Sequence, residues 1–152
     1  MGKRVLNHLS IEFPSLPQNI ALARVAVASF AAQDDLNLND IEELKVAVSE
    51  AVSNCIIHGY LHSPEGIISI RATRFDDSLE ICVEDYGQGI TDFEGSLDYS
   101  VGSDPERMGL GFVFMKSFMD HVKVVSERGR GTKVILIKNI IPGLPAAASE
   151  NN

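Results

Sequence analysis

Residues 66–84 read GIISIRATRFDDSLEICVE, two alternating runs, Gly66 to Phe75 and Leu79 to Glu84, around the polar turn Asp76-Asp77-Ser78. A side-chain period of two predicts a β-hairpin with one apolar face, and that face needs a second layer. The flanking sequence offers helices to supply it. Ile20, Ala23, Val27 and Phe30 recur at helical spacing before the hairpin, as do Ile41, Leu44, Val48, Val52 and Cys55, and Leu110 to Met119 follows it. Pro14 and Pro17 mark a turn, and Pro17 suits the first turn of a helix running to about Gln33. Asp34 to Asn37 reads as a loop, Asn39 with Glu42 resembles a capping box, and Gly59 is the expected stop of the second helix. Val5 to Phe13 alternates as a first strand. Val122 to Ser126 and Lys133 to Asn139 read as the last two, around a turn from Glu127 to Gly131. A long Gly- and Asp-rich segment, Tyr86 to Met108, stands between the hairpin and the third helix. The order β, α, α, β, β, loop, α, β, β predicts an α+β, two-layer sandwich with helices on one face of a mixed, mostly antiparallel sheet.

A chain of 152 residues with 45% hydrophobic and 22% charged side chains suits one folded domain, residues 1–141. The last stretch, 142–152, lacks periodicity and is expected to be disordered. A formal charge of −8 argues against bulk attraction to nucleic acid or to an anionic membrane, while leaving room for a local phosphate site. Cys55 and Cys82 have no metal-ligand spacing and read as small core residues in a reducing compartment. No apolar run reaches the roughly 18 residues of a span, and MGKRVLNHLSIEF is broken by His8, Ser10 and Glu12, unlike a signal peptide. A cytoplasmic protein is expected.

Four short stretches carry chemistry. In SEAVSNCIIHGY, Glu50 and Asn54 lie four residues apart and share a helix face, about 40° from each other. A solvated polar face explains such a pair; so does a site in which the Asn54 amide oxygen meets a hard cation and Glu50 accepts a proton. Mg²⁺ held by one or two protein oxygens completes its shell with phosphate and water. In VEDYGQGI, strand parity puts Asp85 on the face of Leu79, Ile81 and Val83, where a carboxylate needs a donor. A turn explains Asp-x-Gly; an exocyclic amino group such as adenine's also answers the parity, with Gly87 and Gly89 letting a flat ring approach. In RMGLGF, Gly109 and Gly111 open a helix whose free N–H groups suit phosphate, with Arg107 just before them, although one GxG alone is weak. In GRGTKVIL, a hairpin turn suffices, and Thr132 adds a hydroxyl at a strand start.

In this order the four stretches resemble the GHKL ATP-binding fold: E-x-x-x-N on a helix, D-x-G-x-G at a strand end, a lid, G-x-G at a helix start, and Gly-Thr before a strand. Within that superfamily the chain is similar to anti-sigma-factor serine kinases of the RsbW and SpoIIAB type. The likeness runs through LARVAVASFAAQ, SEAVSNCIIHGY, ERMGLGF and FMDHVKVVSERGRGT and covers roughly residues 5 to 138. It implies ATP or ADP and Mg²⁺ as cofactors, with Asn54 on the metal and Glu50 as general base on a serine hydroxyl. Asp85 would hold the adenine amino group, Gly87 and Gly89 shape its pocket, and Thr132 support the base. Arg107, Gly109, Leu110 and Gly111 would line the phosphates. It further implies a homodimer that silences a sigma-F-like sigma factor and phosphorylates a SpoIIAA-like anti-anti-sigma partner, with Arg24 at the partner-binding surface. The lid departs from the family pattern at Ser100-Val101-Gly102, where a threonine-rich segment with a lysine is expected. Two other readings remain: a nucleotide-dependent anti-sigma binder without transfer, and a histidine-kinase ATPase domain. The second lacks a helical hairpin for a phosphoacceptor histidine, and His58 reads as a capping or core residue.

Overall fold

A computed structural model describes residues 3–90, 95–98 and 110–140. The elements run β1 (Val5–Pro14), α1 (Asn19–Ala31), α2 (Leu38–Asn54), a π-helical turn (Cys55–Gly59), β2 (Ile67–Phe75), β3 (Ser78–Asp85), β4 (Gly95–Asp98), α3 (Leu110–Phe118), β5 (His121–Glu127) and β6 (Gly131–Asn139). The six strands form one sheet in the order β1-β2-β3-β6-β5-β4. Among the described residues every pairing is antiparallel, which corrects the expectation of a mixed sheet. β4 was not foreseen: it lies inside the segment read as a loop and pairs with the edge of β5.

The core is what the two periods predict. Ile68, Ile70 and Ala72 of β2, Leu79, Ile81 and Val83 of β3, and Val134 and Leu136 of β6 meet Leu44, Val48 and Val52 of α2. Cys55 joins this core, but Cys82 is only half-buried, because its parity in β3 turns it to the opposite face of the sheet.

The cap of α2 sits two residues before the expected box. Asn37 accepts from the Asp40 N–H at 2.8 Å, and Asp40 accepts from the Asn37 N–H at 3.3 Å. Asn37 wins because it puts Leu36 before the cap and Ile41 in the first turn, both packed into the core as a hydrophobic staple. At the far end of α2 the ladder slips by one residue, and the Tyr60 N–H reaches the Cys55 carbonyl at 2.9 Å. Gly59 therefore does not end an α-helix by adopting positive φ; Leu61 and His62 take the left-handed conformation beyond it. What Gly59 provides is space. Lys138, on the core side of β6, fastens α3 over α2: its ammonium donates to the Phe118 carbonyl at 2.9 Å and faces Glu43 at 3.4 Å.

Candidate nucleotide site

The end of α2, the π-helical turn, the loop after β3 and the start of β6 enclose a cavity of about 210 Å³, with Asn54, Asp85, Gly89 and Thr132 in its wall. Asp85 is 4% exposed, at the end of a strand whose other core-side residues are apolar. Burial pushes its carboxyl above the ordinary value, opposed by hydrogen bonds from the Gly87 N–H, the Cys55 thiol and the Thr132 N–H. The Gly87 bond is 2.9 Å long. The carboxylate rests directly on Gly59, where a Cβ would fall 2.8 Å from its Cγ.

The glycines of D-x-G-x-G serve packing as much as access. A Cβ on Gly87 would lie 2.0 Å from the Gly59 carbonyl oxygen, so the loop is seated against the π-helical turn. Gln88 reinforces that seat: its N–H donates to the Gly59 carbonyl at 3.0 Å and its side-chain amide to the His58 carbonyl at 2.8 Å. Gly89 has φ +82, open to glycine without strain, and a Cβ there would meet the Glu127 carbonyl at 2.7 Å. His58 is exposed in the last turn of the π-helical segment, which rules out the core role and leaves the capping one, and its carbonyl is used by Gln88.

Glu50 and Asn54 sit side by side on α2, facing the start of α3. A Cβ on Gly111 would stand 2.8 Å from Glu50 Oε1 and 3.5 Å from Asn54 Nδ2. Glycine lets α3 lie here without displacing the Glu50 carboxylate. The Asn54 amide nitrogen is buried without a partner among the described residues, a costly state that a ligand relieves. Leu110 is exposed at the helix start. Arg107, Gly109, the lid departure at Ser100 to Gly102 and the tail 142–152 lie outside the described residues. Arg24 is less free than expected of a surface arginine: it is half-buried on α1 and donates to Ser49 Oγ at 3.3 Å, beside Glu50 in sequence.

Three contributors escaped the sequence reading. Ser126, 2% exposed, accepts from the Ile90 N–H at 2.8 Å and lies 3.1 Å from the Thr132 hydroxyl. Its parity with Val122 and Val124 was the available signal. Cys55 lines the same cavity as Asp85, and Tyr60 accepts from the Tyr86 N–H at 2.7 Å while donating to the Ile67 carbonyl. Tyr60→Phe is expected to lower stability by about 1 kcal/mol, read as a shift in denaturant midpoint, because two backbone groups lose one shared partner. ATP affinity should fall with it, since Tyr86 directly follows Asp85.

The model of the histidine kinase-like ATPase domain matches residues 13–138. A protein named anti-sigma F factor from Clostridium beijerinckii is 46% identical over 134 residues, 87% of this chain and 94% of the relative. The one from Halalkalibacterium halodurans is 42% identical over 136 residues, 88% and 93% of the two chains. Among solved structures, the RsbU and RsbW domains of Rv1364c from Mycobacterium tuberculosis align with TM-score 0.64 at 21% identity, over 88% of this chain and 32% of that one. The histidine kinase domain of a blue-light activated kinase from Erythrobacter litoralis aligns at 0.56 and 17% identity, over 82% and 60%. These two agree on the fold: helices packed on one face of an antiparallel sheet. The chain belongs to the histidine kinase-like ATPase family, among the relatives named anti-sigma F factor.

Proposed function

We propose that this chain is an anti-sigma factor that binds and inhibits a sigma-F-like sporulation sigma factor and uses ATP with Mg²⁺ to phosphorylate a serine on an anti-anti-sigma partner. The observation that carries this reading is the convergence of Glu50 and Gly111 beside Asn54, which lines the cavity whose wall also holds Asp85. The names of the relatives support the sigma-factor partner.

The residues fit a nucleotide with its metal. The orphaned Asn54 amide needs a polar partner, and by turning over it presents oxygen to a cation. Among the described residues no three His, Cys, Asp or Glu side chains form a metal cage, so a cation here takes most of its ligands from phosphate and water. When bound, Mg²⁺-ATP supplies the phosphoryl group and the charge that offsets its transfer. The chain's own residues do the rest. Asp85 holds the exocyclic amino group of the base, and the Thr132 and Ser126 hydroxyls extend that polar wall. Glu50 takes the proton of the incoming serine hydroxyl as its oxygen bonds to phosphorus and ADP leaves. Glu50 also tells against a binder without transfer, which has no use for a base beside the metal ligand.

Arg24 suits a partner contact, because its tie to Ser49 places it on the side of α1 that adjoins the Glu50 helix. β1, ten residues long at one edge of the sheet, has a side unpaired among the described residues that suits a second copy of the chain. Among the described residues no helix is long and apolar enough to cross a membrane.

Incubation of the chain with labelled ATP, Mg²⁺ and an anti-anti-sigma protein should label one serine of that protein. Absence of transfer alongside normal sigma-factor binding would leave the binder reading standing and reject the kinase. Gly111→Ala separates position from fold: its Cβ displaces only the flexible end of Glu50, so transfer should fall about tenfold or more with the melting temperature nearly unchanged.

A further inference from the structure

Asp85, Thr132 and Ser126 stand in one row across three neighbouring strands. Asp85 on β3 pairs with Thr132 on β6, and Thr132 pairs with Ser126 on β5. Directly paired side chains share one face of a sheet, here the face that carries the core. Thr132 and Ile90 line the cavity beside Asp85, while the buried Ser126 is not part of its lining. A hydroxyl among Val122 and Val124 is costly unless its bonds are used, and for packing alone alanine would serve. Its bonds go to the two lining residues. The Ser126 oxygen accepts from the Ile90 N–H at 2.8 Å and lies 3.1 Å from the Thr132 hydroxyl. The Gly131 carbonyl, at 3.5 Å, competes poorly for the Ser126 proton. A hydroxyl carries a single proton, so with Ser126 donating to Thr132, the Thr132 proton is left for the cavity. The Asn54 amide in the same wall, unpartnered among the described residues, points independently to a polar occupant.

We propose that Ser126 is a positioning residue for base recognition: its hydroxyl holds Ile90 and the Thr132 side chain in place and turns the Thr132 proton toward an acceptor nitrogen of the bound base. The inference rests on the reading of Asp85 and Thr132 as the adenine contacts. Asp85 offers an acceptor and Thr132, so turned, a donor. Adenine presents the matching pair, an amino group beside the unprotonated ring nitrogen N1; a 6-oxo purine presents the reverse. Without Ser126 the Thr132 hydroxyl has no fixed direction, and ordering it costs part of what the contact contributes. The Ile90 N–H would also lose its acceptor, a cost that falls on every nucleotide alike.

The test uses the full chain and its Ser126→Ala, Ser126→Thr, Thr132→Val and Ser126→Ala/Thr132→Val variants. Equilibrium affinity is measured for Mg²⁺-ATP and for Mg²⁺-1-deaza-ATP, in which N1 is replaced by C–H, together with melting temperature. The unsubstituted chain should prefer ATP, and Thr132→Val should remove most of that preference. Ser126→Ala should narrow it about fivefold, the scale of one hydrogen bond, and Ser126→Thr, which keeps the hydroxyl, should retain it. In the double variant Ser126→Ala should add nothing to the effect of Thr132→Val. A preference that Ser126→Ala leaves unchanged, even where both affinities fall, means that the hydroxyl only supports the wall and overturns the proposal. Equal binding of the two nucleotides by the unsubstituted chain, or a preference that survives Thr132→Val, overturns instead the reading of Thr132 as a base contact.

Discussion

Glu50→Ala should lower phosphoryl transfer by about 10²- to 10⁴-fold, the usual contribution of a positioned general base, while ATP affinity changes little. The separation follows from placement. Glu50 stands against Gly111 at the start of α3, whereas the wall proposed to bind the base is built around Asp85 from β3, β6 and the π-helical turn. Single-turnover transfer from labelled ATP, with nucleotide affinity measured in parallel, reads both quantities. Transfer near the unsubstituted rate would remove Glu50 from the chemistry.

Asp85→Asn should do the reverse and weaken ATP binding by roughly ten- to a hundredfold, the cost of an unmet buried polar group. The Gly87 N–H already donates to this carboxyl at 2.9 Å, so an amide would turn its oxygen to that donor and its NH₂ toward the amino group of the base. In the proposed adenine contact, the charged acid is also the form that binds. Burial raises the folded carboxyl above its ordinary value, so ATP affinity should decline on acidification before an exposed aspartate would protonate. For the empty protein the sign is opposite to that of a salt-bridged aspartate. Stability linked to Asp85 is present below the unfolded carboxyl value and is lost as pH rises through the folded one. Calorimetric titration and thermal melts across mildly acid pH measure the two trends; affinity for ATP unchanged by Asp85→Asn would discard the contact.

Much of this was legible because two periods were. Alternation in 66–84 located the central hairpin and, by parity, placed Asp85 indoors; helical spacing found α1, α2 and α3. The rest depended on contacts that no local pattern carries. Gly95–Asp98 is too short to alternate visibly and is a strand because the edge of β5 is there to pair with it. Asn37 and Asn39 each begin an Asn-x-x-acid sequence, and only the burial of Leu36 chooses between them. Nothing in CIIHG announces a π-helical turn; the Gln88 bonds to the His58 and Gly59 carbonyls belong to tertiary structure. Gly111 was read as room for phosphate, and its tightest contact is with Glu50.

The π-helical turn makes the site sensitive to chain length as well as to chemistry. One residue removed between Cys55 and Gly59 would let the helix continue with ordinary α spacing, turning all that follows by about 100°. The Gly59 and His58 carbonyls would then leave the Gln88 loop, and Asp85 would lose the flat glycine surface beneath it, with every functional side chain still in the sequence. What is stored in those five residues is a count, and a deletion there would read as loss of nucleotide although no contact residue had been substituted.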